Sequence, residues 1–133
     1  METKPKLESL SPNVIVEDVN AAVEYYTKIF GFNLIASVPE SGVYNWAMVM
    51  RDGVTLMFQS LRSLQEDMPS LKIQSKGSLG TFFIRMTGIE ALYQSVKGKI
   101  TIVVDMRTTF YGMKEFTVKD LNGYFLTFAE DVK

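Results

Sequence analysis

The 133 residues include neither cysteine nor histidine. Without thiols no disulfide can staple the fold, and the composition fits a reducing compartment. Without imidazole, nucleophilic catalysis of the Ser-His or Cys-His kind is excluded. The two absences together remove the usual donors of catalytic zinc, nickel and ferrous sites, leaving carboxylates, which suit hard cations such as magnesium. No apolar run is long enough to cross a bilayer, so no membrane partner is expected. The opening residues Met1–Ser9 are charged and unlike a signal peptide, which gives a cytoplasmic expectation. Fourteen basic residues against fifteen acidic ones give a net charge of −1, and the lysines and arginines form no stripe. A nucleic-acid partner is therefore not expected.

What the chain does have is a repeat. Met48-Val-Met-Arg-Asp-Gly-Val-Thr-Leu-Met-Phe58 and Phe116-Thr-Val-Lys-Asp-Leu-Asn-Gly-Tyr-Phe-Leu-Thr-Phe128 each read as strand, Asp/Gly turn and strand. Asp and Gly tolerate the positive φ of tight hairpins. Gly53 and Gly123, Leu56 and Leu126, and Phe58 and Phe128 are each seventy residues apart. In the same register, Pro12–Val16 precedes a helix over Asp18–Phe30, and Phe82–Met86 precedes one over Gly88–Lys97. A βαβββ unit is thus present twice.

The first helix has Asp18 as its cap, Val19, Val23, Tyr26, Ile29 and Phe30 at helical spacing, and Gly31 as its stop. The second has Ile89, Leu92 and Val96 on one stripe and no polar cap, although Thr87 is near. Residues 1–9 read as a lead-in, with Leu7 and Leu10 excepted; 10–60 form the first module. Residues 61–78 form a linker with a short helix, and 79–130 the second module, all within one compact domain. A chain of this length buries about two-thirds of its unfolded surface, enough for a core without covalent help.

The stretch Pro12-Asn-Val-Ile-Val-Glu-Asp-Val-Asn-Ala-Ala-Val-Glu-Tyr-Tyr-Thr-Lys-Ile-Phe-Gly-Phe32 resembles the opening of the vicinal oxygen chelate superfamily. That superfamily takes in glyoxalase I, bleomycin-resistance proteins, fosfomycin-resistance enzymes and extradiol dioxygenases. Tyr111-Gly-Met-Lys-Glu-Phe-Thr-Val-Lys-Asp-Leu-Asn-Gly-Tyr124 resembles its closing hairpin, and the likeness extends from Leu10 to Glu130. It implies an α+β fold of two βαβββ repeats forming cupped mixed sheets, and it leaves the chemistry open, since the superfamily hosts unrelated reactions.

In metal-dependent members, the resemblance implies, His, Glu or Gln stands on the first and fourth strands of each unit. The repeat register carries those positions onto Ser11, Met57, Thr81 and Thr127, with 46 residues inside each pair and seventy between copies. None is an ordinary ligand of a catalytic transition metal, so no metal and no cofactor are expected. Glyoxalase I, extradiol dioxygenase and metal-dependent fosfomycin transferase activities are rejected on the same ground.

Strand alternation then gives a lining. If Ser11 faces the cup, so do Asn13 and Ile15, with Thr55, Met57 and Gln59 on the fourth strand. In the second copy Thr81, Phe83 and Arg85 face it, with Phe125, Thr127 and Ala129. Arg85 offers an anion a planar fork, though a surface carboxylate is its plainer partner. Asn13 bonds either a ligand or strand backbone. Trp46, Tyr44, Phe110 and Tyr111 stack on a flat ligand or serve as core. The methionines, Met57 among them, suit an adaptable wall or plain packing. Glu115, the candidate catalytic acid, becomes a usable base if desolvated, and its plainer role is a salt bridge.

Three function classes follow: a metal-independent protein that binds a small apolar or aromatic molecule; a metal-independent isomerase or lyase using Glu115; and a non-catalytic interaction partner. The candidate ligand-binding residues are Ser11, Asn13, Trp46, Met57, Thr81, Phe83, Arg85, Tyr111, Phe125 and Thr127. A symmetric homodimer is expected, because open curved sheets leave edges to cover.

Overall fold

The computed structural model describes residues 4–6, 8–69 and 81–132. The element order is β1 (Asn13–Val16), α1 (Val19–Phe30), β2 (Asn33–Val38), β3 (Trp46–Arg51), β4 (Val54–Ser60), α2 (Leu61–Asp67), β5 (Thr81–Arg85), α3 (Ile89–Val96), β6 (Thr101–Thr108), β7 (Met113–Lys119) and β8 (Phe125–Asp131). The strands make two four-stranded sheets of identical plan, β1-β4-β3-β2 and β5-β8-β7-β6. In each, the first strand runs parallel to the fourth and the other pairs are antiparallel. The fold is the expected α+β duplication. The short helix expected after Ser60 is α2, whose first turn is capped by the Ser60 hydroxyl accepting from the Ser63 N–H. The rest of the expected linker, with the start of the second module, falls partly on residues 70–80, outside the described residues.

Helix α1 forms as its sequence dictates. The Asp18 carboxylate accepts the Ala21 N–H at 3.0 Å, and Gly31 ends the helix in the left-handed region at φ 69°. The Arg51 guanidinium donates to the Phe30 carbonyl at 2.6 Å, placing a cation against the negative end of the helix dipole. Helix α3 solves its missing cap through tertiary structure. Gly88 supplies no side chain, and the Ile89 N–H donates instead to the Glu130 carboxylate on β8, at 2.9 Å. Local sequence cannot reveal a cap that comes from 41 residues away. Leu10 is a second departure: it is 89% exposed. It lies ahead of β1, where no paired backbone yet holds the chain. Leu7 lies outside the described residues.

One hydrophobic core serves both modules, and it is built from the helix-side faces of both sheets. Val14, Val16, Val49, Leu56 and Phe58 come from the first sheet, and Phe116, Val118, Leu126 and Phe128 from the second. Between them, Tyr26 packs on Phe58 with ring centroids 5.0 Å apart, and Phe30 on Phe128 at 5.5 Å. Each fully buried phenylalanine contributes about 1.5–3 kcal/mol by leaving water. Two polar ties cross the same seam. The Tyr26 hydroxyl donates to Asp120 at 2.6 Å, and the Tyr124 hydroxyl donates to the Ile15 carbonyl at 2.8 Å. Because both helix-side faces converge on this core, the opposite, cupped faces look outward.

Candidate functional site

The inward/outward parity read from the sequence holds along the strands. Leu56, Phe58, Leu126 and Phe128 go to the core, while Met57, Gln59, Phe125 and Thr127 take the cupped faces. On the first sheet Asn13 lies opposite Met57, and Met57 opposite Met48, in one row. Ile15, Gln59 and Trp46 form the next. The Asn13 amide donates to the Gln59 carbonyl oxygen at 2.8 Å, and the Gln59 amide nitrogen donates to the Ser63 hydroxyl at 3.0 Å. Gln59 is thereby held between the strand face and α2, and no described ionisable group joins these two rows. Ser11, half-buried, precedes β1.

The second sheet is built differently. Arg85, Ala129, Glu115 and Arg107 fall in one row across all four strands. Glu115 is only 3% exposed, although it lies on the cupped face. A turn places its principal partner. Thr109 and Met113 exchange backbone and hydroxyl hydrogen bonds, Gly112 takes φ 81°, and Tyr111 folds back so that its hydroxyl donates to Glu115 Oε2 at 2.6 Å. That bond to a carboxylate raises the Tyr111 phenol above its ordinary value, because losing the proton would set two negative charges together. The other oxygen, Oε1, faces the Arg107 guanidinium at 3.9 Å, too far for a hydrogen bond.

Arg85 pairs with the surface carboxylate of Asp131 at 3.1 Å. The neighbouring row holds Phe83, Thr127 and Thr117. Phe83 is 52% exposed, and the two threonine hydroxyls bond each other at 2.8 Å. Thr81 and Phe125 pair one row beyond. Phe110 is fully exposed and meets Tyr111 edge-on at 5.1 Å. Tyr44 instead packs against the core, with its N–H bonded to Asn20.

The four positions that the resemblance assigns to metal ligands do not fit a transition metal. Met57 and the hydroxyls of Ser11, Thr81 and Thr127 carry no negative charge, and the Thr127 hydroxyl is already engaged with Thr117. Nor do they enclose one space within a chain, since the first pair and the second pair lie on different outward faces.

Arg107 was not singled out by the sequence reading. Its signal was present in the hairpin: the turn is centred on Tyr111, and counting outward from there sets Arg107 opposite Glu115. Bulges in β6 between Ile102 and Val104 and between Val104 and Arg107 lie beyond Arg107 from the turn, so alternation counted from the start of the strand loses the register. Asp120 was also read only as a turn residue. It is 7% exposed and accepts the Asn122 and Tyr124 N–H groups as well as the Tyr26 hydroxyl.

The family model for the glyoxalase/bleomycin resistance protein/dioxygenase superfamily matches residues 9–128. An uncharacterized protein of Mycobacterium bovis is 25% identical over 134 residues, covering 94% of this chain and 84% of that one. Among solved structures, TioX from Micromonospora sp. ML1 superposes with a TM-score of 0.77 at 18% identity, over 94% of this chain and 99% of TioX. A glyoxalase/bleomycin resistance protein/dioxygenase from Nocardioides gives 0.76 at 17%, over 98% and 87%. At these identities the solved structures speak to the fold.

Proposed function

We propose, for a chain that belongs to the glyoxalase/bleomycin resistance/dioxygenase superfamily, that it binds a small apolar or aromatic molecule without a metal, in a cup completed by a second copy. The observation that carries this reading is the outward direction of both cupped faces, each with apolar side chains in solvent. Val38 is 55% exposed and Met50 40% on the first sheet, and Phe83 is 52% exposed on the second. A twofold axis would set the first face of one protomer against the second face of its partner and form two equal cups, as an isologous dimer requires. Ser11, Asn13, Trp46 and Met57 would line one wall. Thr81, Phe83, Arg85, Phe125 and Thr127 would line the other, with Tyr111 at its rim. A cytoplasmic setting belongs to the same reading and rests on the cysteine-free composition.

Two measurements test it. Sizing at micromolar concentration should give twice the 15.0 kDa chain mass, and a panel of aromatic compounds should include some that raise the melting temperature. A ligand at a hundred times its Kd adds about 2.7 kcal/mol. A 15.0 kDa particle with no ligand-induced shift would remove the proposal.

One observation favours a second reading, a metal-independent isomerase or lyase: Glu115 is buried on a cupped face with the Tyr111 hydroxyl oxygen 2.6 Å from one carboxylate oxygen and the other oxygen not hydrogen-bonded to its cation. In that reading Glu115 takes a proton from substrate while Tyr111 steadies it. Turnover that survives Glu115→Gln unchanged would exclude the reading.

A further inference from the structure

The gap between Arg107 and Glu115 has a definite chemistry. A buried carboxylate oxygen and a guanidinium 3.9 Å apart form one acceptor and one donor separated by slightly more than a hydrogen bond. A single hydroxyl oxygen can sit about 2.8 Å from both, donating its proton to the carboxylate and accepting from the guanidinium. We infer that this notch is a recognition subsite for a neutral hydroxyl group on an aromatic ligand, a phenol or naphthol, whose ring lies over Thr117 and Thr127 toward Phe83.

Three features favour that class. First, the charges of the row are already paired, Arg85 with Asp131 and Arg107 with Glu115. An ionic ligand group would therefore enter without a counter-charge, whereas a neutral hydroxyl keeps the balance. Second, the strip between the notch and Phe83 makes little polar demand, because the Thr117 and Thr127 hydroxyls bond each other and leave a single hydroxyl proton to place. Third, Phe83 offers a half-exposed aromatic face in the row beside the notch. The hydroxyl is the part of the ligand that a purely apolar wall could not select. A site that pairs a substrate hydroxyl rejects the analogue lacking it, since its own polar groups are then left unpaired.

The inference rests on the binding reading above, and one experiment separates their failures. Naphthol, its methyl ether and naphthoate are titrated against the full chain by calorimetry, in the wild type and in Glu115→Gln and Arg107→Met variants whose folding is checked by circular dichroism. The wild type is expected to bind naphthol about tenfold more tightly than the ether or the carboxylate, the span of one charge-assisted hydrogen bond. In either variant the naphthol-to-ether ratio should collapse toward one. Equal binding of naphthol and ether by the wild type, tighter binding of naphthoate, or a preference that survives both substitutions would overturn the subsite and leave the binding reading standing. If none of the three probes binds, the subsite is overturned, while the binding reading stands or falls on the wider panel.

Discussion

The two repeats share strand order, helix position and the register of their parallel strands, yet their outward faces have diverged. The first presents Asn13, Met57, Met48, Gln59 and Trp46, a neutral surface whose amides are occupied with one another and with α2. The second presents Arg85, Glu115 and Arg107 in one row, with Tyr111 latched onto the carboxylate. The backbone plan is fixed by the core side, where both copies contribute phenylalanine, leucine and valine at equivalent places, and the other side is left free to vary. Duplication thus supplies one apolar wall and one polar wall from the same scaffold. The hairpin turns differ in the same way: Asp52 stands in solvent beside Arg51, while Asp120 is buried and ties its turn to α1.

The largest expected effect separates the two sides of a sheet. Phe128→Ala removes a buried ring from the shared core and should cost about 3–5 kcal/mol in urea denaturation, while Phe83→Ala on the cupped face should cost under about 1 kcal/mol and weaken ligand binding instead. Comparable losses from both would break the distinction between core side and cup side.

Next comes the contrast of the turns. Asp120→Ala strips two backbone N–H groups and the Tyr26 hydroxyl of their acceptor, with an expected loss on the order of 3 kcal/mol. Asp52→Asn, which keeps a residue tolerant of positive φ, should stay within about 0.5 kcal/mol. Equal effects at the two turns would mean that Asp120 contributes no more than a turn residue.

A smaller effect is expected in alkali. Tyr25 is pushed up from 10.0 to about 12, chiefly by burial and then by the Asp120 charge, and Tyr26 is raised well above 10.0 for the same leading reason. A raised value in the folded state means that the unfolded chain loses its phenolic protons first. Stability should therefore hold below pH 10.0 and fall as the pH climbs toward about 12. Tyr26→Phe should flatten part of that slope, and an unchanged slope would place its origin elsewhere.

The smallest effect concerns an exposed pair in the second module. Asp105 accepts the Tyr93 hydroxyl, and that bond holds its carboxyl below the ordinary 3.8. The depressed value makes the contribution present above pH 3.8 and lost as the pH falls through the folded value. In Tyr93→Phe, the Asp105 titration followed by NMR should move upward, toward the ordinary value.

Much of the fold was legible because its signals are local or periodic. Asp18 and Gly31 bracket α1, Gly53 and Gly123 mark the hairpins, and strand alternation assigned Leu56 and Phe58 to the core and Met57 to the opposite face. The features that stayed hidden are long-range. The Glu130 cap of α3 and the Tyr26–Asp120 bond join residues 41 and 94 positions apart. The candidate site was legible in part. Glu115 and Tyr111 were singled out separately, but their contact depends on the turn at Gly112, and the bulges of β6 hide Arg107 from alternation counted along that strand from its start. That the two cupped faces look outward could not be read at all, because it follows from how the two modules share one core.

The most direct test of the central claim, a cup that binds without a metal, is a naphthol titration of chelator-treated protein followed through the single tryptophan, Trp46, repeated after adding zinc, nickel or ferrous ion. The curves should superimpose. Binding that appears only once a metal is supplied would contradict the account.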